Sequence, residues 1–100
     1  MAFEEEDVPY MGQWAELKKN YLQEEKPEEY EELIEEKWLI DYLASIEASY
    51  SERFEEMVEA QMAREGVDEA LKAKNPLEWV GRVNNIRSCV KEILTAELCE

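Results

Sequence analysis

The 100 residues are 45% apolar and carry 26 Asp plus Glu against 11 Lys plus Arg, a formal net charge of −15 at pH 7. A chain of this length buries roughly 60–65% of its unfolded surface, enough for one modest core and a single domain. The carboxylate excess disfavours direct binding to nucleic acid, where affinity comes from cations displacing counterions, and disfavours anionic membrane surfaces for the same reason.

Three Gly and three Pro are too few turn signals for an all-β chain, and no strand-like alternation is present, so the fold class expected is all-α. Residues 1 to 8 are acidic and unpatterned and read as a flexible tail. The first helix is predicted to start between Pro9 and Gly12, with Trp14, Leu17, Tyr21 and Leu22 on one face. Pro27 ends that helix or opens the next, where it occupies the first helical position and Glu28 and Glu29 meet the positive end of the helix dipole. Between Glu28 and Glu65 there is neither Gly nor Pro, so one helix of about 57 Å is conceivable from the 1.5 Å rise per residue. Trp38, Leu39 and Ile40 in succession point to three sides of such a rod, which would leave one in water, and a break between Glu35 and Trp38 resolves this.

Beyond the break, Leu39, Tyr42, Leu43, Ile46, Tyr50, Phe54, Met57, Val58, Gln61 and Met62 give a sustained stripe and the longest helix. Gly66 stands where a left-handed C-terminal cap belongs, and Asp68 caps a short helix running to Lys72 that buries Val67 and Leu71. Asn75-Pro76-Leu77-Glu78 combines a capping residue, an N1 proline and a Glu placed to reach back. The last helix is predicted to run to about Leu98, with Trp79, Val80, Val83, Ile86, Val90, Ile93 and Leu94 on one broad face. The architecture expected is a small helical bundle of three long helices and one or two short ones, with enough aromatic surface for a homodimer.

The inventory of reactive groups points away from catalysis. Histidine is absent, which removes the commonest general base near neutral pH and the commonest neutral metal ligand. Cys89 and Cys99 lie about 15 Å apart along one helix, too far for a disulfide within the chain, and two cysteines without histidine make no zinc site. No calcium loop or Gly-rich phosphate loop is present, so the cofactor expectation is none. The segment following Met1 is acidic, unlike a secretory signal, and cytoplasm is the expected location.

The acidic residues are arranged, however. Glu28, Glu31, Glu32 and Glu35 recur at i, i+3, i+4 and i+7, and Glu52, Glu55, Glu56 and Glu59 repeat the spacing. Four carboxylates over roughly 10 Å of helix give about one charge per 3.5 Å, close to the roughly 3.4 Å per phosphate of a DNA strand. The wet face of an amphipathic helix also reads this way, although like charges at these spacings cost about 0.2–0.5 kcal/mol per pair and a structural face would mix in more Lys. Residues 1–71 hold 22 acids and 6 bases, net −16, whereas residues 72–100 hold 4 acids and 5 bases, net +1. Within the latter, Lys72, Lys74, Trp79, Arg82, Asn84, Asn85 and Arg87 form an alternative contact patch for nucleic acid or an acidic protein; the plainer reading is that Arg82, Arg87 and Lys91 pair with glutamates of neighbouring helices while Asn84 or Asn85 hydrogen-bonds within the bundle.

The stretch QMAREGVDEALKAKNPLEWVGRVNNIR, Gln61 to Arg87, resembles the TnpV family, small proteins encoded on transposons and other mobile elements of Firmicutes. The likeness weakens upstream to about Tyr21, a little over half the chain. Before Lys37, where the family pattern leads us to expect Gly, this chain has Glu36, which counts against a sharp break there. The resemblance implies residence on a mobile element and brings no catalytic residues. Together with the charge, it suggests an acidic protein that binds a basic partner, such as a nuclease, recombinase or other nucleic-acid-binding protein, as a DNA-mimicking inhibitor or regulator; an anti-CRISPR protein is one concrete form. The alternatives are a transposon accessory factor acting through residues 72–91 and a homo-oligomeric structural protein.

Overall fold

The computed structural model describes residues 8–99; of the tail expected at residues 1–8, residues 1–7 lie outside them, and Val8 packs against the core. Among the described residues the chain is all-α, with five helices: α1 (Gln13–Glu25), α2 (Pro27–Glu35), α3 (Leu39–Glu65), α4 (Glu69–Lys74) and α5 (Pro76–Leu98). They form two compact units, one from residues up to Ser51 with Cys99, the other from Glu52–Leu98. Helix α3 contributes its first part to one unit and its second part to the other.

In the first unit α1 packs against α2. The core joins Ala15 and Leu22 of α1, Tyr30 of α2, and Leu39 and Leu43 of α3, with Val8, Met11, Leu33 and Ile34 half-buried around them. Pro27 opens α2 as expected, and Gln23 Nε2 donates to the Tyr30 hydroxyl at 3.1 Å, tying α1 to α2 beside the bend. Trp14, only 1% exposed, sits in the first turn of α1 with its ring centroid 5.8 Å from that of Tyr50.

The start of α1 has no local cap, because its N-cap residue is Gly12. Glu47, 33 residues downstream on α3, supplies one instead: its Oε1 accepts from the backbone N–H groups of Trp14 at 2.9 Å and Ala15 at 3.0 Å. These are two of the four donors that a helix start leaves unpaired, and a carboxylate there also meets the positive end of the dipole. Gly12 is required twice over. Its φ of 137° is strained for any residue with a side chain, and an added Cβ would overlap the Glu47 carboxylate.

The break expected between Glu35 and Trp38 is present, although Glu36 replaces the expected glycine. Lys37 itself takes the left-handed conformation, φ 64°. Its N–H donates to the Ile34 carbonyl at 3.1 Å and that of Trp38 to Leu33 at 2.9 Å, the paired bonds of a Schellman cap. The end of α3 repeats the motif with a glycine: Gly66 has φ 68°, and Val67 N–H donates to Met62 at 2.9 Å.

In the second unit α4 packs on α5, and the buried residues are Phe54 and Val58 of α3, Val67, and Ile86, Val90, Leu94 and Leu98 of α5. Asp68 caps α4 by accepting from Leu71 N–H at 2.9 Å, and α4 runs two residues beyond the expected Lys72. Asn75 Oδ1 accepts from Glu78 N–H at 3.2 Å, while the Glu78 carboxylate reaches back to the Asn75 side-chain amide at 3.4 Å. It meets the side chain because the Asn75 backbone N–H already donates to Leu71 at 2.7 Å. The apolar face of α5 is narrower than expected. At about 100° per residue, Ile93 falls on the flank of the arc set by Ile86, Val90 and Leu94 and is 56% exposed, while Val80, on the same line as the buried Leu98 but near the start of α5, is 47% exposed. Cys89 and Cys99 are free thiols.

Three substitutions test the caps. Lys37→Gly relieves a left-handed penalty of about 1–2 kcal/mol at a cost in chain entropy of about 0.5–1 kcal/mol, so the urea midpoint should rise by the equivalent of roughly 0.5–1 kcal/mol. Glu47→Ala leaves Trp14 and Ala15 N–H unpaired and should destabilise by about 1–2 kcal/mol. Gly12→Ala should then cost less in the Glu47→Ala background than in the natural chain, a coupling that a double-mutant cycle reads directly.

Candidate functional site: exposed carboxylate stripes

Helix α2 carries Glu28, Glu31, Glu32 and Glu35, and all four are exposed. The apolar face defined by Tyr30, Leu33 and Ile34 turns inward, which forces the residues between them out to water. In the second unit, Glu52, Glu55, Glu56 and Glu59 are likewise exposed, because Phe54 and Val58 occupy the buried side of α3. Each stripe therefore presents its four carboxylates on a continuous helix. Among the described residues, Glu55 is the one member of the eight that enters an ion pair, with Arg87 at 3.7 Å.

The basic residues of the second unit are largely occupied. Arg53 grips Glu97 through two bonds, 2.9 and 2.7 Å, joining α3 to α5. Arg87 lies over the Phe54 ring, 4.9 Å from its centroid, besides pairing with Glu55. Arg82 pairs with Glu78 at 3.3 Å and donates to the Glu65 carbonyl at 3.4 Å, where α3 leaves its last carbonyls unsatisfied. Lys72 stands over the Trp79 ring at 4.7 Å, and that tryptophan is half-buried with its indole N–H buried and without a hydrogen-bond partner. Thus four of the seven residues proposed as the alternative contact patch, Lys72, Trp79, Arg82 and Arg87, take part in contacts within the unit. Lys74, Asn84 and Asn85 are exposed on α4 and α5.

Sequence reasoning missed two residues. Glu47 belongs to neither stripe, and no local pattern marks it, since its partners lie on another helix. Trp38 does carry a signal, being one of three successive apolar residues: Leu39 is buried, whereas Trp38 and Ile40 are left exposed, 58% and 37%. No helix among the described residues is long and apolar enough to cross a membrane.

The Arg53 hydrogen bonds hold the Glu97 carboxyl below the usual glutamate range, outweighing the opposing desolvation, and the charge of Arg53 adds to the lowering. With its folded pKa depressed, Glu97 favours the folded state above the ordinary glutamate pKa of about 4.3. That contribution is lost as pH falls through the lower folded value. A carboxyl-carbon NMR titration should place Glu97 below the ordinary value, and Arg53→Gln should return it there.

Among curated proteins and among solved structures, nothing matches the chain. The model of one protein family, described as transposon-encoded protein TnpV, matches residues 1–99, well beyond the Gln61 to Arg87 stretch that carries the clearest likeness. The protein with these two carboxylate stripes therefore belongs to the TnpV family of transposon-encoded proteins.

Proposed function

We propose that this protein is a non-enzymatic acidic binder that occupies the basic groove of a nucleic-acid-handling partner, a nuclease or recombinase, and inhibits or regulates it as a DNA mimic. An anti-CRISPR protein is one concrete form of this. The observation that carries the reading is the pair of exposed glutamate stripes, seven of whose eight carboxylates have no ion pair among the described residues. Unneutralised like charges at i, i+3 and i+4 are unfavourable for the helix itself, which favours a use outside the chain. Their spacing of about 3.5 Å per charge along the helix suits a groove built for a phosphate backbone. Family membership adds a setting, a transposon, and movement of such an element proceeds through enzymes that cut and join DNA.

The accessory-factor alternative is weaker, because Lys72, Arg82 and Arg87 are engaged within the chain and would have to leave their partners to meet DNA. A pull-down from a bacterial lysate containing nucleases and recombinases, with and without duplex DNA, tests the preferred reading. A basic protein should be captured, displaced by DNA, and lost when Glu52, Glu55, Glu56 and Glu59 are all changed to Gln. Capture that the quadruple variant leaves intact would remove the hypothesis.

A further inference from the structure

We infer that the cleft beside Trp38 receives an arginine side chain of a basic protein partner. This rests on the acidic-binder reading above and adds the group recognised and the place in the fold where it is held.

The backbone creates the site. The Schellman turn at Lys37 sets Trp38 just ahead of α3, and burial of Leu39 in the core leaves the indole outside. There Trp38 walls a cleft of about 460 Å³ with Leu33, Glu36, Asp41, Tyr42 and Ser45. The lining thus combines two aromatic side chains with two carboxylates and contains no lysine or arginine. Elsewhere the chain repeatedly places its own cations over rings, as Lys18 over Tyr21, Lys72 over Trp79 and Arg87 over Phe54. Among the described residues no cation is recorded over Trp38, although it is the most exposed of the three tryptophans.

Charge selects the occupant. Residues 26–45 contain seven acids (Glu28, Glu29, Glu31, Glu32, Glu35, Glu36 and Asp41) against Lys26 and Lys37. The Tyr42 hydroxyl registers this field: burial raises its pKa first, and the Glu29 carboxylate raises it further. A second copy of this chain, also at −15, is repelled, whereas a basic partner is drawn in. Arginine fits better than lysine. Its planar, weakly hydrated guanidinium can stack on an indole while its edge donates to carboxylates, and an ammonium cannot do both without shedding tightly held water.

The test is isothermal titration of the full chain with acetylated tetra-arginine amide and, separately, tetra-lysine amide. The arginine peptide should bind more tightly than the lysine peptide. Trp38→Leu, which keeps an apolar contact for the turn and removes the ring, should weaken the arginine peptide about tenfold, as loss of a partly desolvated cation–π contact implies. Glu36→Gln and Asp41→Asn should each weaken it several-fold, with helix content unchanged by circular dichroism. Equal binding of the two peptides, or full binding by Trp38→Leu, would overturn the assignment. So would a dimer in sedimentation that Trp38→Leu dissociates, since the occupant would then be a second copy. The quadruple Glu→Gln variant of the second unit separates the two ideas. If it loses the lysate partner while Trp38→Leu still binds the arginine peptide, the stripes stand and the cleft falls. If it keeps that partner while Trp38→Leu fails with the peptide, the cleft stands and the stripes fall.

Discussion

Carboxylates repel one another, and a chain with 26 acids in 100 residues can fold only by keeping nearly all of them in water while apolar side chains supply the attraction. The described residues obey this without exception at the level of burial: no charged or polar residue is buried, and Trp14, Leu39, Leu43, Ile86 and Leu94 are the largest side chains fully withdrawn from solvent. Helices satisfy the constraint economically, because one stripe in each turn can face inward while the remaining positions hold charge outside. The surface proposed for binding follows from the same division. The surface is what the apolar stripe leaves over, and here that remainder is two ordered rows of glutamates.

Where an acidic side chain does contribute to the fold, it is matched with a concentrated positive end. Glu47 meets the bare N–H groups of α1, and Glu97 meets the two-pronged guanidinium of Arg53. Both connect segments far apart in sequence, and both use geometry that a loose surface ion pair lacks. Arg53, Arg82 and Arg87 of the second unit are drawn into this internal service, together with the Phe54 ring and the last carbonyls of α3. This is why the region of net positive charge in the sequence offers fewer free cations in the structure than its count suggests, with Lys74 and Lys91 exposed and three of its five bases engaged.

Much of the architecture was legible because its signals are local. Pro27, Gly66, Asp68 and the Asn75–Glu78 box each act within a few residues, and each marks a helix boundary where expected. The stripe from Leu39 to Met62 fixed the length of α3. Less legible was the extent of a face: Val80 and Ile93 are apolar and correctly spaced by eye, yet a helix exposes flanks and end turns that its neighbours do not reach. The turn at Lys37 was readable from the three apolar residues that follow it, although the identity of its left-handed residue was not, since lysine seldom adopts that conformation. Of the candidate site, the exposure of all eight glutamates followed from periodicity. The engagement of Arg82 and Arg87 depended on three-dimensional neighbours. Glu47 could not have been found without the structure.

In the proposed acidic-binder reading, the stripes also set the range over which a partner senses this protein. At 0.1 M salt electrostatic influence decays over a Debye length of about 10 Å, roughly the span of one four-glutamate row at 1.5 Å of rise per residue. Counterions therefore silence the row for a molecule approaching from afar while leaving adjacent carboxylates within one another's reach. Recognition under such conditions is a matter of touch: a partner must come close enough to strip away the ionic atmosphere, and one whose cations are spaced to replace it has the advantage over one that is merely positive.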